Sequence, residues 1–343
     1  MSADILLPLL KSTFGFDDFR GRQAEVVARV MAGEHTLAVM PTGAGKSLTY
    51  QLPAVALAGC VVVVSPLIAL MHDQLRGARA AGIRAASLTS VDADFADTRQ
   101  AYRDGQLDLL YIAPERATGE GFRALMEARA PALFAIDEAH CVSEWGHDFR
   151  PDYRLLRPLL DTFPGVPRLA LTATADKHTR EDILVQLGIP ADGLVLAGFD
   201  RPNIRYRVGP RIGAARQLAE FIAANPGPGI VYCPTRDGTE RMAAKLAAAT
   251  GRSVAAYHAG LDAERRAQVQ HDFVASEDGI VTATVAFGMG IDKPDVRFVA
   301  HAGLPKSIES YYQETGRAGR DGDPAEALML WGAEDFARAR MRL

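Results

Sequence analysis

The chain has 343 residues, 48% of them hydrophobic and 23% charged, with a formal net charge of −4. That length accommodates two ordinary domains with their own apolar cores. No run approaches the ~20 consecutive apolar residues that a membrane-crossing helix takes. The acidic balance excludes a uniformly basic nucleic-acid coat but leaves room for a local basic groove. The three cysteines, Cys60, Cys141 and Cys233, lie far apart and never in a C-x-x-C pair. They indicate neither a disulfide framework nor a zinc site, and each reads as a small buried hydrophobe. Residues 1–16 lack the basic start and small-residue cleavage site of a secretion signal, so a cytoplasmic chain is expected.

In the first half, short runs at 36–40, 61–65, 109–112, 133–136 and 168–172 alternate with helical stretches. This is the pattern of a parallel sheet flanked by helices. Each run ends at a polar or Gly/Pro-rich turn, where an open α/β sheet places its ligands. The second half repeats the arrangement at 229–233, 253–257, 279–283, 296–300 and 327–330. Residues 199–205, which include Pro202, carry no periodicity, and the boundary is placed there, giving lobes 1–199 and 200–343. Residues 209–213 read as a surface loop and 225–229 as a tight connection. The expected fold is α/β, two similar lobes in tandem.

Residues 41–47 read P-T-G-A-G-K-S between a strand and a helical stretch, the context of a phosphate loop. Thr42, Gly43, Ala44 and Gly45 would close backbone N–H groups around phosphate oxygens at a helix N-terminus. Lys46 would reach the β- and γ-phosphates, and the Ser47 hydroxyl would ligate Mg²⁺. Met40 stands where the general pattern has its first glycine.

D-E-A-H at 137–140 closes the next apolar strand but two. Asp137 is assigned to Mg²⁺ through water and Glu138 to the general base. Trp145 and Phe149 are large apolar side chains in a polar, turn-rich stretch. They suit stacking on unpaired bases or, alternatively, pinning their own loop. Near the end, Arg317 and Arg320 lie three apart, so one helical turn would point both the same way. Such arginines stabilise charge on a transferred phosphoryl group, and Gln313 would orient water or sense the γ-phosphate. Gly316 and Gly319 weaken a helix without benefit unless something must approach closely.

Several segments carry a resemblance to one family. F-G-F at 14–16 followed by F-R-G-R-Q at 19–23, then H-C-V-S-E-W-G-H-D-F-R-P-D-Y at 140–153, and Y-Y-Q-E-T-G-R-A-G-R-D-G at 311–322, together resemble the RecQ family of DNA helicases. The missing first glycine of the phosphate loop is common in helicases of superfamily 2. By the resemblance, Phe16 stacks on adenine while Arg20 and Gln23 bond its edge. The other reading makes Phe14, Phe16 and Phe19 core aromatics of a helical hairpin. The family usually has Pro-Gly where this chain has Gly21-Arg22. Ser65, Pro66 and Leu67 resemble a DNA-backbone segment, and Thr172 lies in a segment that couples hydrolysis to lobe movement. His147 links the aromatic loop to the nucleotide site and Arg150 adds a phosphate contact. In the second lobe, Thr284 faces DNA and Asp292 lies near the ribose. Arg236 and His258 look like backbone contacts and equally like ordinary surface residues.

The resemblance runs from about residue 5 to about residue 335. It implies an ATP- and Mg²⁺-dependent core with its nucleotide cleft between two RecA-like lobes. It also implies 3′ to 5′ movement on single-stranded DNA and unwinding of tailed duplexes, in repair or recombination. Protein partners are not indicated, and in a bacterium the chain would be nucleoid-associated. Family members continue into a zinc module and a winged helix, which commonly bind and split the duplex. The rival readings are an RNA helicase or clamp, and a nucleotide-dependent kinase or switch lacking a second arginine-bearing lobe.

Overall fold

The computed structural model describes residues 3–66, 68–89, 95–146, 149–198, 200–285, 287 and 293–340. The chain divides into two compact units, Met1–Phe199 and Asp200–Leu343.

In the first unit the strands are Thr36–Val39 (β1), Val61–Val64 (β2), Ala85–Leu88 (β3), Leu109–Ile112 (β4), Leu133–Ile136 (β5), Arg168–Thr172 (β6) and Leu194–Leu196 (β7). They form one sheet in the order β3-β4-β2-β5-β6-β1-β7, with every pairing parallel. Both faces of a parallel sheet are covered by crossover helices, so its strands read as unbroken apolar runs. Leu37, Val39, Val62, Val64, Phe134 and Ile136 pack on one side. Ala38, Met40, Val61, Val63, Leu133 and Ala135 pack on the other. A third cluster, Leu6, Leu10, Val27, Leu48 and Leu52, fastens the helices Ala3–Phe14 and Gln23–Met31 to the helix Leu48–Ala56.

In the second unit the strands are Ile204–Pro210 (β8), Gly229–Tyr232 (β9), Val254–Tyr257 (β10), Ile280–Ala283 (β11), Phe298–His301 (β12) and Ala325–Trp331 (β13). Their order is β10-β11-β9-β12-β13-β8, again parallel throughout. Ile230 and Tyr232 face one cluster while Val231 and Cys233 face the other, the period-two alternation of a strand. All three cysteines are free and buried. Among the described residues no helix is long and apolar enough to cross a membrane.

Two parallel-sheet units flanked by helices are the expected architecture. The expected strands at 109–112, 133–136 and 168–172 match the observed bounds, and the run at 296–300 shifts to Phe298–His301. β3, β7 and β8 were not foreseen. β8 takes in Gly209 and Pro210, so the surface loop expected from 209 begins later.

Phe298 is fully buried in β12, its ring edge-on to Phe221 at 5.7 Å. Phe298→Ala empties that space, so urea unfolding should report a loss of about 3–5 kcal/mol. Val274→Ala, at a 46% exposed position, should change stability by less than about 0.5 kcal/mol.

Candidate functional site

β1 delivers the chain into the loop at 41–47, and Ser47 is the residue that caps the helix Leu48–Ala56. Gly45 adopts φ +70°, and a Cβ there would lie 2.4 Å from Nε2 of Gln23. The left-handed backbone favours glycine, and the Gln23 amide packs directly against it. Nε2 of Gln23 donates to the carbonyls of Ala44 at 2.8 Å and Gly45 at 3.1 Å. Its Oε1 accepts from the Arg20 amide at 2.8 Å. A residue assigned from sequence to the adenine edge is therefore bonded here to the phosphate loop. Nζ of Lys46 donates to the carbonyls of Met40 at 3.2 Å and Pro41 at 3.4 Å. Thr42, Gly43 and Ala44 line the outer part of the loop, partly or fully exposed. Phe14 and Phe19 pack against the helical cluster. Phe16 does not; it is 45% exposed, with the Arg20 guanidinium 5.8 Å from its ring centre.

The acidic pair closes β5, two strands away from β1 across β6. Asp137 is buried, its amide continuing the ladder to the Val64 carbonyl at 2.9 Å. Burial first, and then the neighbouring Glu138 charge, hold its carboxyl well above the usual carboxylate range, and Lys46 opposes them. Glu138 has φ 48° and ψ 47°, alone among the described non-glycine residues in having a positive φ. Such a backbone costs on the order of 1–3 kcal/mol and persists only where its surroundings enforce it. The Glu138 amide donates to Oδ1 of Asp137 at 3.0 Å. The Glu138 carbonyl accepts from the Cys141 amide at 2.9 Å. From beneath, the Tyr153 hydroxyl donates to the Asp137 carbonyl at 2.9 Å.

His140 ties this turn to β6. Its Nδ1 lies 3.0 Å from Oγ1 of Thr172 and 3.3 Å from Oε2 of Glu138. Thr172 spends its hydroxyl hydrogen on the Thr174 carbonyl at 3.0 Å, which leaves Nδ1 of His140 as the donor. The Thr172 carbonyl accepts from the Met40 amide at 2.9 Å. Phosphate loop, acidic turn and the 171–175 segment thus meet at the adjacent ends of β1, β6 and β5.

Beyond the acidic turn, Trp145 is 76% exposed and Phe149 is 36% exposed, with the Arg154 guanidinium 5.2 Å from the Phe149 ring centre. Arg150 donates through Nη1 to the Pro66 carbonyl at 3.1 Å, joining the aromatic loop to the segment after β2. Ser65 is buried at the end of that strand. Leu67, His147 and Asp292 lie outside the described residues.

In the second unit Arg236 opens the helix Arg236–Thr250 and is exposed. His258 is buried, with Nε2 3.0 Å from Oε1 of Glu240 and Nδ1 accepting from the Gly260 amide at 3.2 Å. Both ring nitrogens are engaged inside the unit, so the side chain organises its own loop. Thr284 is half-buried, its amide donating to the Tyr257 carbonyl at 3.2 Å. Gln313 sits half-buried on the helix Ile308–Thr315. Arg317 and Arg320 do not share a helical face, because that helix stops at Thr315 and both arginines lie in the turns beyond it. Gly316 caps the stop and Gly319 follows it, the latter at φ +54°.

Sequence reasoning missed the residues that hold this turn. Arg201 donates to the carbonyls of Gly316, Ala318 and Gly319 at 3.1, 2.8 and 3.0 Å. Asn203 donates to those of Gly319 and Asp323 at 2.8 and 2.9 Å. Their only signal was an aperiodic arginine and asparagine beside Pro202.

Gln23→Ala would leave the Ala44 and Gly45 carbonyls without that donor. Titration with a fluorescent ATP analogue should show affinity lower by about tenfold or more, since a lost buried hydrogen bond costs about 1–3 kcal/mol. Unchanged affinity would mean that the loop holds its own shape.

The chain matches the DEAD/DEAH box helicase family over residues 20–183 and the helicase conserved C-terminal domain over residues 213–322. It is 47% identical over 336 residues to the ATP-dependent DNA helicase RecQ of Haemophilus influenzae, covering 96% of this chain and 54% of that protein. Its identity to the RecQ-like DNA helicase blm-1 of Caenorhabditis elegans is 45%, covering 98% of this chain and 35% of that one. The chain thus spans about half or less of the length of these relatives. Among solved structures, Mycobacterium smegmatis helicase Lhr bound to ssDNA and AMP-PNP superposes with a TM-score of 0.70 at 21% identity, covering 97% of this chain and 50% of Lhr. S. cerevisiae dbp5 bound to gle1 and ip6 gives 0.79 at 18% identity, covering 99% and 90%. Such distant likenesses bear on the fold alone, two RecA-like lobes in tandem.

Proposed function

The chain belongs to the RecQ family of DEAD/DEAH-box helicases, and from that membership we propose that it is an ATP-driven motor that moves 3′ to 5′ along single-stranded DNA and opens tailed duplexes. The observation that carries the reading is the buried junction of Met40, Thr172, His140 and Glu138. It joins a phosphate loop to a strained acidic turn by direct hydrogen bonds, the arrangement needed for nucleotide state to alter the backbone around it.

The residues divide the work as follows. Loop amides at 42–45 and Lys46 hold the phosphates, and Phe16 and Arg20 flank the base while Gln23 keeps the loop shaped for it. Ser47 and Asp137 offer the hard oxygen donors that suit Mg²⁺, directly and through water. When bound, the ion neutralises charge on the β- and γ-phosphate oxygens. Glu138 takes the proton from attacking water, its left-handed backbone fixing where the carboxylate points. Arg317 and Arg320 supply positive charge to the transferring phosphoryl group, and Gln313 orients the water. Asp292 is assigned to the ribose and His147 to the link between loop and nucleotide.

Trp145 and Phe149, exposed on their loop, stack on unpaired bases, worth about 1–3 kcal/mol per base. Arg150 then passes the loop's position to the segment at Ser65, Pro66 and Leu67 through the Pro66 carbonyl. Arg236 and Thr284 contact the DNA backbone in the second unit, and His258 acts through the loop it holds. Such work belongs beside DNA, in the nucleoid if the cell is bacterial, during repair or recombination.

ATP hydrolysis should rise with single-stranded DNA and much less with RNA of the same length; equal stimulation would overturn the DNA reading. Glu138→Gln should still bind ATP while turnover falls at least about 100-fold, the scale of general-base loss. Trp145→Ala with Phe149→Ala should keep basal hydrolysis and melting temperature but lose DNA stimulation. If basal hydrolysis fell equally, the loop would be structural.

A further inference from the structure

The chain enters the second unit through Asp200, Arg201, Pro202 and Asn203 before β8 begins at Ile204. Arg201 lies 115 residues before Gly316, whose carbonyl accepts a hydrogen bond from its Nη1 at 3.1 Å. Its Nη2 donates to the carbonyls of Ala318 at 2.8 Å and Gly319 at 3.0 Å. One guanidinium therefore grips three carbonyls of the turn that carries Arg317 and Arg320.

Where those carbonyls fall decides what the grip does. A peptide group is planar, so holding its oxygen also holds the N–H across the same bond. The Gly316 carbonyl shares its plane with the Arg317 amide, and the Gly319 carbonyl shares its plane with the Arg320 amide. Arg201 thus fixes the peptide plane leading into each arginine, and with it the backbone from which each side chain departs. The helix end alone holds Arg317 loosely: its amide reaches the Glu314 carbonyl at 3.3 Å, beyond the usual range for such a bond.

Asn203 shows that closing this turn does not take a charge. Its neutral amide donates to the carbonyls of Gly319 at 2.8 Å and Asp323 at 2.9 Å. A guanidinium is costlier to take out of water than an amide. Burial accordingly lowers Arg201 from the usual arginine range. What the guanidinium adds is a rigid planar fork that spans the backbone on both sides of Arg317. Lysine, a point charge on a flexible stem, offers no such fixed geometry.

We propose that Arg201 is the positioning residue of Arg317 and Arg320, one fork holding the two peptide planes that aim them. This rests on both arginines acting on the transferring phosphoryl group. Preorganised charge costs no reorientation at the moment of reaction, so its loss lowers turnover while leaving ground-state binding alone. Arg201 acts through the turn and touches neither nucleotide nor DNA in this role.

The test measures ATP hydrolysis with saturating single-stranded DNA, affinity for ADP alone and with aluminium fluoride, and melting temperature. Arg201→Ala should lower kcat about tenfold or more, the worth of a hydrogen bond to a charged group, with KM for ATP and ADP affinity unchanged. Affinity for ADP with aluminium fluoride, which mimics the transferring phosphoryl group, should fall by the same factor as kcat. Arg201→Lys keeps the charge and the apolar stem, which guards against plain unfolding. It loses the fork, so it should show the same split with kcat down at least about threefold. In a chain carrying Arg317→Ala and Arg320→Ala together, adding Arg201→Ala should leave the aluminium fluoride affinity where it was. A further loss there would overturn the proposal, as would normal kcat in both Arg201 variants or a loss confined to KM. So would a loss that tracks a lower melting temperature in Arg201→Ala and is missing from Arg201→Lys. If Arg317→Ala and Arg320→Ala each hydrolyse normally, the role given to those arginines fails and the proposal falls with it. If they are slow while Arg201→Ala is normal, the positioning role alone fails.

Discussion

Thr172 sits at the end of the one strand that separates the phosphate loop from the acidic turn, and the geometry of the first unit depends on what it bonds. Its carbonyl takes the Met40 amide, extending β1 by one residue beyond its last paired position and setting where the loop begins. Its hydroxyl bonds His140 on one side and the Thr174 carbonyl on the other. The residue is fully buried, where a hydrogen bond is stronger than in water and an unmade one is more costly.

The strain at Glu138 follows from that anchoring. Asp137 is still bonded to β2 as a strand residue, while Ala139–Val142 already forms a 3₁₀ turn. One residue must absorb the whole change of direction, and Glu138 does so in a left-handed conformation that glycine would adopt at no steric cost. A glutamate stands there instead, and the Tyr153, Cys141 and Asp137 contacts supply what its backbone loses.

In the second unit the corresponding problem is a turn carrying two arginines. Residues 316–319 are buried, so their carbonyls need donors from the protein. Arg201 and Asn203 supply side-chain donors, and the Gly319 amide returns to the Val296 carbonyl at 2.8 Å. The backbone that carries Arg317 is thereby fixed from residues more than a hundred positions earlier in the chain.

The two-lobed parallel architecture was legible because central strands such as Leu133–Ile136 are apolar on both faces. Of the four edge strands, only Val254–Tyr257 was. Ile204–Pro210 alternates arginines with apolar residues on a mostly exposed edge, and Ala85–Leu88 is short and small, so neither carries a clear apolar signal. At the site, the phosphate loop, the acidic pair and the aromatic loop were readable because their chemistry lies in contiguous residues. Spacing misled at Arg317 and Arg320, where three residues apart suggested a helical face and the glycines ended the helix first. Gln23 was recognised, but its bonds to Ala44 and Gly45 join positions more than twenty residues apart. Sequence by itself determined the fold class and the family, since both depend on local pattern and on contiguous motifs. Only the tertiary structure decided what holds those groups, because Tyr153 under Asp137 and Arg201 on the arginine turn meet across separations that no local pattern encodes.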